Sequence, residues 1–304
     1  MEKFLEKKEC EICGNNSFKI IYSWSSEYYS HKKFETCSWD GRKKIPLQIV
    51  KCRNCGLVFS LPSFRENFLN TVYPEDFVSK SESSVDEFFY NNDKKSLSLI
   101  RKISKIKKDG VLLDIGTRYG SLPWVAKKNG FESYGIDLNK KSIEIGRKRF
   151  KNIYNGTIND IQKLINEKKI KNPEIIVMDD VLEHLVHPLQ NLKTLAKIQR
   201  KNDLLVLRQM DYGCIGRKIF GKHWHYLQPA AHQFYFDWKS IGNLLEKSGY
   251  NIVFIRNEKS LRPLLSSIKS ILTNIVKSNG NKKLYLVNRP RAWSDIFLVI
   301  ALKK

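Results

Sequence analysis

The sequence predicts an α/β fold, a parallel sheet with helices on both faces, preceded by a small metal-binding module. Three observations carry this. From about residue 109, apolar runs of strand length alternate with helical stretches, the pattern of βαβ units. The first of these strands runs into a glycine turn, and the second ends in an acid. Ahead of them stand two Cys-x-x-Cys-Gly units.

Those units are Cys10-Glu-Ile-Cys13-Gly14 and Cys52-Arg-Asn-Cys55-Gly56, separated by 38 residues. Four thiolates are the tetrahedral set that a structural Zn²⁺ takes. A glycine after each second cysteine supplies the positive φ of a tight knuckle. The alternatives are two disulfides or four unrelated buried thiols, and disulfides suit a secreted chain. Phe18, Ile20, Tyr22 and Trp24 alternate like a strand, and Leu47 and Ile49 lead into the second knuckle. A closed four-sulfur site leaves no position for substrate, so the metal's expected work is to fold residues 1–68. Cys37 and Cys214 have no base partner in sequence and receive no role.

Residues 69–108 read as a helical connector or lid, with Tyr73–Phe77 and Phe88–Tyr90 as its aromatic content. The core follows over 109–304. Its strands are expected at Val111–Gly116, Ser133–Asp137, Ile153–Gly156, Glu174–Met178, Asp203–Gln209, Asn251–Arg256 and Ser294–Leu302. Helices are expected up to Asn129, over Lys141–Phe150, Ile161–Lys169, Pro188–Gln199 and Trp238–Ser248, the last closed by Gly249. An amphipathic stretch, Leu264–Val276, is read as docking on the core, with a membrane surface beside a lipid-linked acceptor as the alternative.

Composition sets limits. With 41% hydrophobic and 28% charged residues in 304, the chain is not disordered or low-complexity. No apolar run approaches the ~18 residues of a spanning helix. The charged N-terminus lacks an apolar h-region, so a cytoplasmic protein is expected. The formal charge is +23, but 40 of the 54 basic residues are lysines in scattered runs. Such a balance permits a nucleic-acid partner without demanding one.

The first core strand ends Asp114-Ile-Gly116-Thr-Arg-Tyr-Gly120, and Asp137 follows 23 residues after Asp114. Gly116 lets backbone approach a ligand, and an acid at the end of the second strand can accept ribose hydroxyls. The motif reads Asp-x-Gly-x-x-x-Gly and not the dinucleotide Gly-x-Gly-x-x-Gly. Here the sequence resembles the class I S-adenosylmethionine-dependent methyltransferases, over residues 110–257 and more loosely beyond. LLDIGTRYG, YGIDLN, Asp179-Asp-Val-Leu-Glu-His-Leu and HWHYLQPAAHQFYF carry the likeness. A Cys-x-x-Cys-Gly pair ahead of such a core is similar to bacterial methyltransferases of sugar, polysaccharide and natural-product pathways.

The resemblance implies a Rossmann-like seven-stranded sheet, mostly parallel with the last strand antiparallel, behind a zinc-ribbon-like module. It places Asp114, Gly116 and Gly120 around the methionine part of S-adenosylmethionine and Asp137 at the ribose. Thr157 and Ile158 fall near the adenine, and Asp179 and Asp180 at the end of the fourth strand. Arg118 stands where the family usually has a third glycine.

Five of the six histidines, His184, His187, His223, His225 and His232, follow the fourth and fifth strands. They belong at the carboxyl edge, where open α/β sheets bind ligands, and aromatics surround the later three. Methyl transfer needs in-line placement of the acceptor, and a hydroxyl acceptor gains from a base of near-neutral pKa. His184 and His232 are the candidates. His223-x-His225 has metal-ligand spacing but no carboxylate partner in view. The leading expectation is methylation of a hydroxyl or amine on a sugar, nucleotide-sugar or lipid-linked sugar. An RNA methyltransferase gripping phosphates with its basic surface is the second reading. Against it, the aromatics gather at the acceptor site and do not interleave with the basic runs. A cofactor-binding relic, suggested by Arg118, is the third.

Overall fold

A computed structural model describes residues 5–6, 9–24, 47–64, 85–224, 226–229, 231–258 and 295–304. Cys37, His225, Tyr73–Phe77 and Leu264–Val276 lie outside the described residues.

The N-terminal strands are β1 (Leu5–Glu6), β2 (Phe18–Trp24), β3 (Leu47–Cys52), β4 (Val58–Leu61) and β5 (Ser63–Phe64). β2, β3 and β4 form an antiparallel meander, and β1 pairs with β5. The alternation expected of β2 is broken by a register shift between Ile20 and Tyr22. An extra residue there changes which face each later side chain takes. Phe18 packs edge-on against Phe59, Ile20 is exposed, and Ile21 and Tyr22 join an apolar cluster with Ile49 and Val58.

Helix α1 (Val85–Ile103) leads into the core. Leu99, Ile100 and Ile103 on its C-terminal half are wholly buried against Leu122, Val125 and Ala126. Asp93 pairs with Arg149, whose guanidinium also stacks over Phe89 and Trp124.

The core alternates as the sequence predicts. β6 (Val111–Ile115) is followed by α2 (Ser121–Lys128), β7 (Glu132–Asp137) by α3 (Lys140–Arg147), and β8 (Ile153–Asn155) by α4 (Ile161–Asn166). Next come β9 (Ile175–Asp179), α5 (Pro188–Ile198), β10 (Leu204–Met210), α6 (Ile215–Phe220), β11 (Phe234–Tyr235), α7 (Trp238–Ser248), β12 (Tyr250–Asn257) and β13 (Ile296–Lys303). The seven-stranded sheet has the order β12-β13-β10-β9-β6-β7-β8. β13 runs antiparallel to both neighbours, and the pairs from β10 to β8 are parallel. The chain therefore reverses direction between β6 and β9, the switch point at which such sheets open a crevice.

Local chemistry sets the helix ends. The Asn139 side chain accepts from Ser142 N and starts α3, and Asp237 with Ser240 makes a capping box on α7. Gly249, at φ 93°, closes α7 as a left-handed cap. Helices α3 and α4 stop earlier than the apolar period suggests, at Arg147 and Asn166.

Sequence gave no sign of β11. These two residues, from the region between β10 and α7, pair with β4 and complete the N-terminal sheet as β11-β4-β3-β2. The apolar cluster is continuous across the junction: Cys10, Ile12, Val50 and Phe59 share it with Phe234, Phe236, Leu192 and Leu244.

Candidate active site

Each cysteine knuckle turns on its glycine. Gly14 N bonds to Cys10 O at 2.7 Å and Gly56 N to Cys52 O at 3.1 Å, with φ of 68° and 81°. The turns bring all four sulfurs within 4.8 Å of one another, with Cys10 Sγ 3.3 Å from Cys55 Sγ and Cys13 Sγ 3.5 Å from Cys52 Sγ. These separations exceed the ~2.05 Å of a disulfide and suit ligands sharing one tetrahedral ion with Zn–S near 2.3 Å. Burial drives the Cys10 and Cys55 thiols up. At Cys13 burial acts the same way, but hydrogen bonds from the Asn15 amide and neighbouring thiols outweigh it and bring the group to about 7.

The first knuckle is tied to the core. Lys247 Nζ donates to Ile12 O at 2.5 Å, and His187 Nδ1 lies 3.1 Å from Glu11 Oε1. Strands β4 and β5 grip the segment after α6. Ser60 Oγ donates to His232 O at 2.9 Å, Ser60 N to Gln233 O at 2.9 Å, and Ser63 Oγ to Gln233 Oε1 at 3.2 Å.

At the carboxyl edge of the sheet, β6 turns at Gly116, whose N–H donates to Ile136 O at 2.8 Å. A Cβ there would sit 2.5 Å from Val181 Cγ2, and the φ of 76° also requires glycine. Gly120, at φ 79°, starts α2. Arg118 takes a φ of 52°. This is the left-handed conformation that explains the family's glycine, and it costs an ordinary residue about 1–2 kcal/mol. Its compensation is local. The Arg118 amide donates to Asp137 Oδ2 at 2.8 Å, Asn139 N donates to Oδ1 at 2.8 Å, and the guanidinium lies 5.6 Å from the centre of the Tyr119 ring. Asp137 thus holds the glycine turn to the end of β7. Burial raises its pKa, opposed by those two amides and the Arg118 charge. Asp114 is 4% exposed, and burial holds it well above the usual carboxylate range.

Thr157 and Ile158 lie beyond β8. Thr157 closes a capping box with Asp160, its N–H and Oγ1 2.8 and 2.9 Å from Asp160 Oδ2. Ile158 is buried in the same apolar cluster as Ile136 and Ile161. Asn155 Nδ2 donates to Asp137 O and Leu138 O at 3.0 and 2.9 Å, joining this edge to the ribose-site acid.

Asp179 and Asp180 follow different courses. Arg208 of β10 takes both Asp179 oxygens, with Nε donating to Oδ1 at 2.5 Å. Asp180 adopts φ 53°, its N–H bonded to Arg208 O at 2.8 Å. Desolvation by the surrounding protein, and the charges of Asp179 and Glu183, push its pKa up to about 7.

A 3₁₀ turn over Leu182–His184 then presents His184, and the loop gripped by β4 presents His232. Their rings meet edge to face, centres 4.9 Å apart. His184 Nδ1 lies 2.9 Å from Ala231 O, and His232 Nδ1 lies 2.7 Å from Tyr226 O. Burial lowers both pKa values, that of His232 to about 3. His187 instead contacts Glu11 at the knuckle, and the side chain of His223 lies outside the described residues.

Sequence reasoning passed over Glu183. It is 2% exposed, burial pushes its pKa up to about 8, and its backbone O accepts from Gln233 N at 2.8 Å. A carboxylate oxygen of Glu183 and one ring nitrogen of each of His184 and His232 lie within 4.8 Å of one another. Along this edge several buried polar atoms lack a hydrogen-bond partner among the described residues: Glu183 Oε2, both side-chain amide atoms of Gln209, the Tyr212 hydroxyl and Ser121 Oγ. Buried polar groups are normally satisfied, which sets these atoms apart from the rest of the interior. The adjacency Glu183-His184 was the signal available in sequence, but nothing in its spacing separates it from helix-edge polarity.

Residues 88–254, more than half of the chain, match the family model described as a methyltransferase domain. A tRNA (uracil(54)-C(5))-methyltransferase from Pyrococcus horikoshii is 21% identical over 145 residues, 46% of this chain and 34% of that protein. The chain thus spans about a third of the length of that curated relative. A SAM-dependent methyltransferase from Archaeoglobus fulgidus is similar in structure with a TM-score of 0.48 and 20% identity, over 72% of this chain and 100% of that one. The magnesium protoporphyrin IX methyltransferase of Synechocystis PCC 6803 gives 0.47 and 13%, over 74% and 90%. With the seven-stranded order and the glycine turn already in place, the domain match shows that this chain belongs to the methyltransferase-domain family.

Proposed function

We propose that the protein methylates a hydroxyl or amine of a sugar or related small metabolite, in a surface-polysaccharide or natural-product pathway. The acceptor would bind where β9 and β10 end. The observation that carries this is the set of buried, unpartnered polar atoms at Ser121, Glu183, Gln209 and Tyr212. Around Tyr212 stand further aromatics: its ring packs against Trp224 and Tyr235, and Trp224 packs against Tyr226. Apolar walls with a few convergent polar groups suit a small polar molecule.

The residues present fit the methyl donor. Asp114, Gly116 and Gly120 would hold its amino-acid part, Asp137 the ribose, Thr157 and the Ile158 backbone the adenine, and Asp179 and Asp180 the rim. S-adenosylmethionine, when bound, supplies a methyl group already activated on a sulfonium. The protein's own part is to place and orient the acceptor, exclude water and handle its proton. Asp114, Asp137, Asp179 and Asp180 place acceptor oxygens at one edge of the sheet, and burial raises the pKa of each. Arg208 fixes the Asp179 carboxylate there, and His184 and His232 are the groups set closest to an acceptor. The cysteine cluster would hold Zn²⁺ as a structural ion. With this reading go a zinc module over 1–68, a connector over 69–108 and a catalytic core over 109–304.

The test is incubation with S-adenosylmethionine and a panel of nucleotide-sugars and lipid-linked sugars, read by a mass gain of one methyl group. A methylated sugar supports the reading, and no product from any sugar class sinks it. RNA methylation is the second reading, favoured by the likeness to part of a tRNA methyltransferase. It predicts RNA binding that weakens steeply with salt.

A further inference from the structure

The cluster formed by Glu183, His184 and His232 differs from an ordinary pair of core histidines in three respects. First, each ring is held through Nδ1 to a backbone carbonyl, Ala231 O for His184 and Tyr226 O for His232. A carbonyl oxygen only accepts, so both Nδ1 atoms carry the proton. In the neutral rings the lone pair then sits on Nε2. This is the outer hydrogen bond that fixes tautomer and ring orientation in metal-ligating histidines.

Second, Glu183 Oε2 is buried and has no hydrogen-bond partner among the described residues. An unmet carboxylate oxygen in protein interior is costly unless a cation or donor reaches it. Third, the three donor atoms come from two separate segments that are fastened together. Glu183 O accepts from Gln233 N, Ser60 Oγ donates to His232 O, and the rings of His184 and His232 are in contact. One carboxylate oxygen of Glu183 and one ring nitrogen of each histidine lie within 4.8 Å of one another. Ligands sharing one ion at about 2.0–2.2 Å are roughly 3–3.6 Å apart, so the three groups would draw in slightly around a bound ion.

We propose that Glu183, His184 and His232 form a second metal site, which takes one divalent transition cation and leaves coordination positions open for an oxygen of the acceptor. Two imidazoles and one carboxylate suit Zn²⁺, Mn²⁺, Fe²⁺ or Co²⁺, and nitrogen donors disfavour Mg²⁺ and Ca²⁺. The site is distinct from the four-cysteine cluster in donors and in purpose. A closed sulfur set stabilises a fold, whereas three ligands with open positions bind substrate. A cation there lowers the pKa of a coordinated hydroxyl, so two buried histidines would serve as ligands in place of a free base. This role deepens the acceptor-site reading above and rests on it; the binding of the cation does not.

Equilibrium dialysis of the full-length protein against excess Mn²⁺, with total bound metal counted by elemental analysis, tests the site. Wild type is compared with Glu183→Gln and His232→Gln, and S-adenosylhomocysteine binding is measured on all three. The expected result is one metal fewer per chain in both variants, with S-adenosylhomocysteine still bound. Equal metal content in all three proteins overturns the proposal, whatever ion the cysteines hold. Should one variant fail to melt cooperatively, the other decides. Wild type that loses a metal on substitution but binds no S-adenosylhomocysteine would leave the cation site standing and defeat the donor-site reading instead.

Discussion

Asp137 does two things with one carboxylate: it accepts the Arg118 and Asn139 amides, and in the proposed function it receives the ribose. Hydrogen bonds to a charged group contribute about 1.5–3 kcal/mol. Asp137→Ala is therefore expected to weaken S-adenosylhomocysteine by roughly tenfold or more, measured by calorimetry, and an unchanged affinity would place the ribose elsewhere. Asp211 gives a pH prediction. Burial pushes it up to about 6, against 3.8 as its ordinary value. The folded chain then holds a proton that the unfolded chain has lost between those values. Stability from this group is fullest below about 3.8 and falls as pH rises through 6. Asp211→Asn mimics the protonated form, so it is expected to flatten that fall and to stabilise the protein at pH 7 by at most about 3 kcal/mol. Denaturant melts at pH 4.5 and 7 check this, and a variant less stable than wild type at pH 7 would contradict it. Residue by residue, the turn proposed to hold the donor was legible because it is made of special backbone: Gly116, Gly120 and the acid closing β7 are all signalled by type and spacing. Glu183 was not, since its importance comes from burial beside histidines brought from elsewhere in the chain.

At the level of elements, strands β6, β9 and β10 were legible because each is apolar on both faces, as a covered parallel sheet requires. β11 was not: two residues carry no period, and their partner β4 lies more than 170 residues earlier. That pairing has a consequence. The cysteine knuckles set β3 and β4, β4 holds Ser60, and Ser60 holds the backbone of His232. Cys52→Ser, or chelation of the Zn²⁺ proposed at the cysteines, is thus expected to lower both the melting temperature and the methylation rate through this structural link alone. Loss of stability with full activity in the remaining folded protein would show that the module does not position His232. Arg208 with Asp179 is the other cross-strand device, joining β10 to β9. Arg208→Ala leaves a carboxylate without its partner and is expected to cost about 3–5 kcal/mol, read from denaturant melts. A loss below 1 kcal/mol would mean that the pair is weaker than its geometry indicates.

Across the whole molecule, a chain of formal charge +23 carries a carboxylate-lined crevice at one sheet edge. Its lysines are spread over helices and turns, several in surface ion pairs such as Lys107 with Glu174 and Lys171 with Glu132. Composition alone therefore pointed outward, while the proposed function puts the chemistry at the switch point of the sheet. No helix among the described residues is long and apolar enough to cross a membrane. The central claim is that this crevice binds the methyl donor. Its most direct test is a thermal melt of purified, nucleic-acid-free protein with and without saturating S-adenosylhomocysteine. At 100 times its dissociation constant the ligand adds about 2.7 kcal/mol to the folded state, which for a chain of this size raises the melting temperature by several degrees. A clear rise is the predicted result; an unchanged melt at saturating ligand would contradict the account.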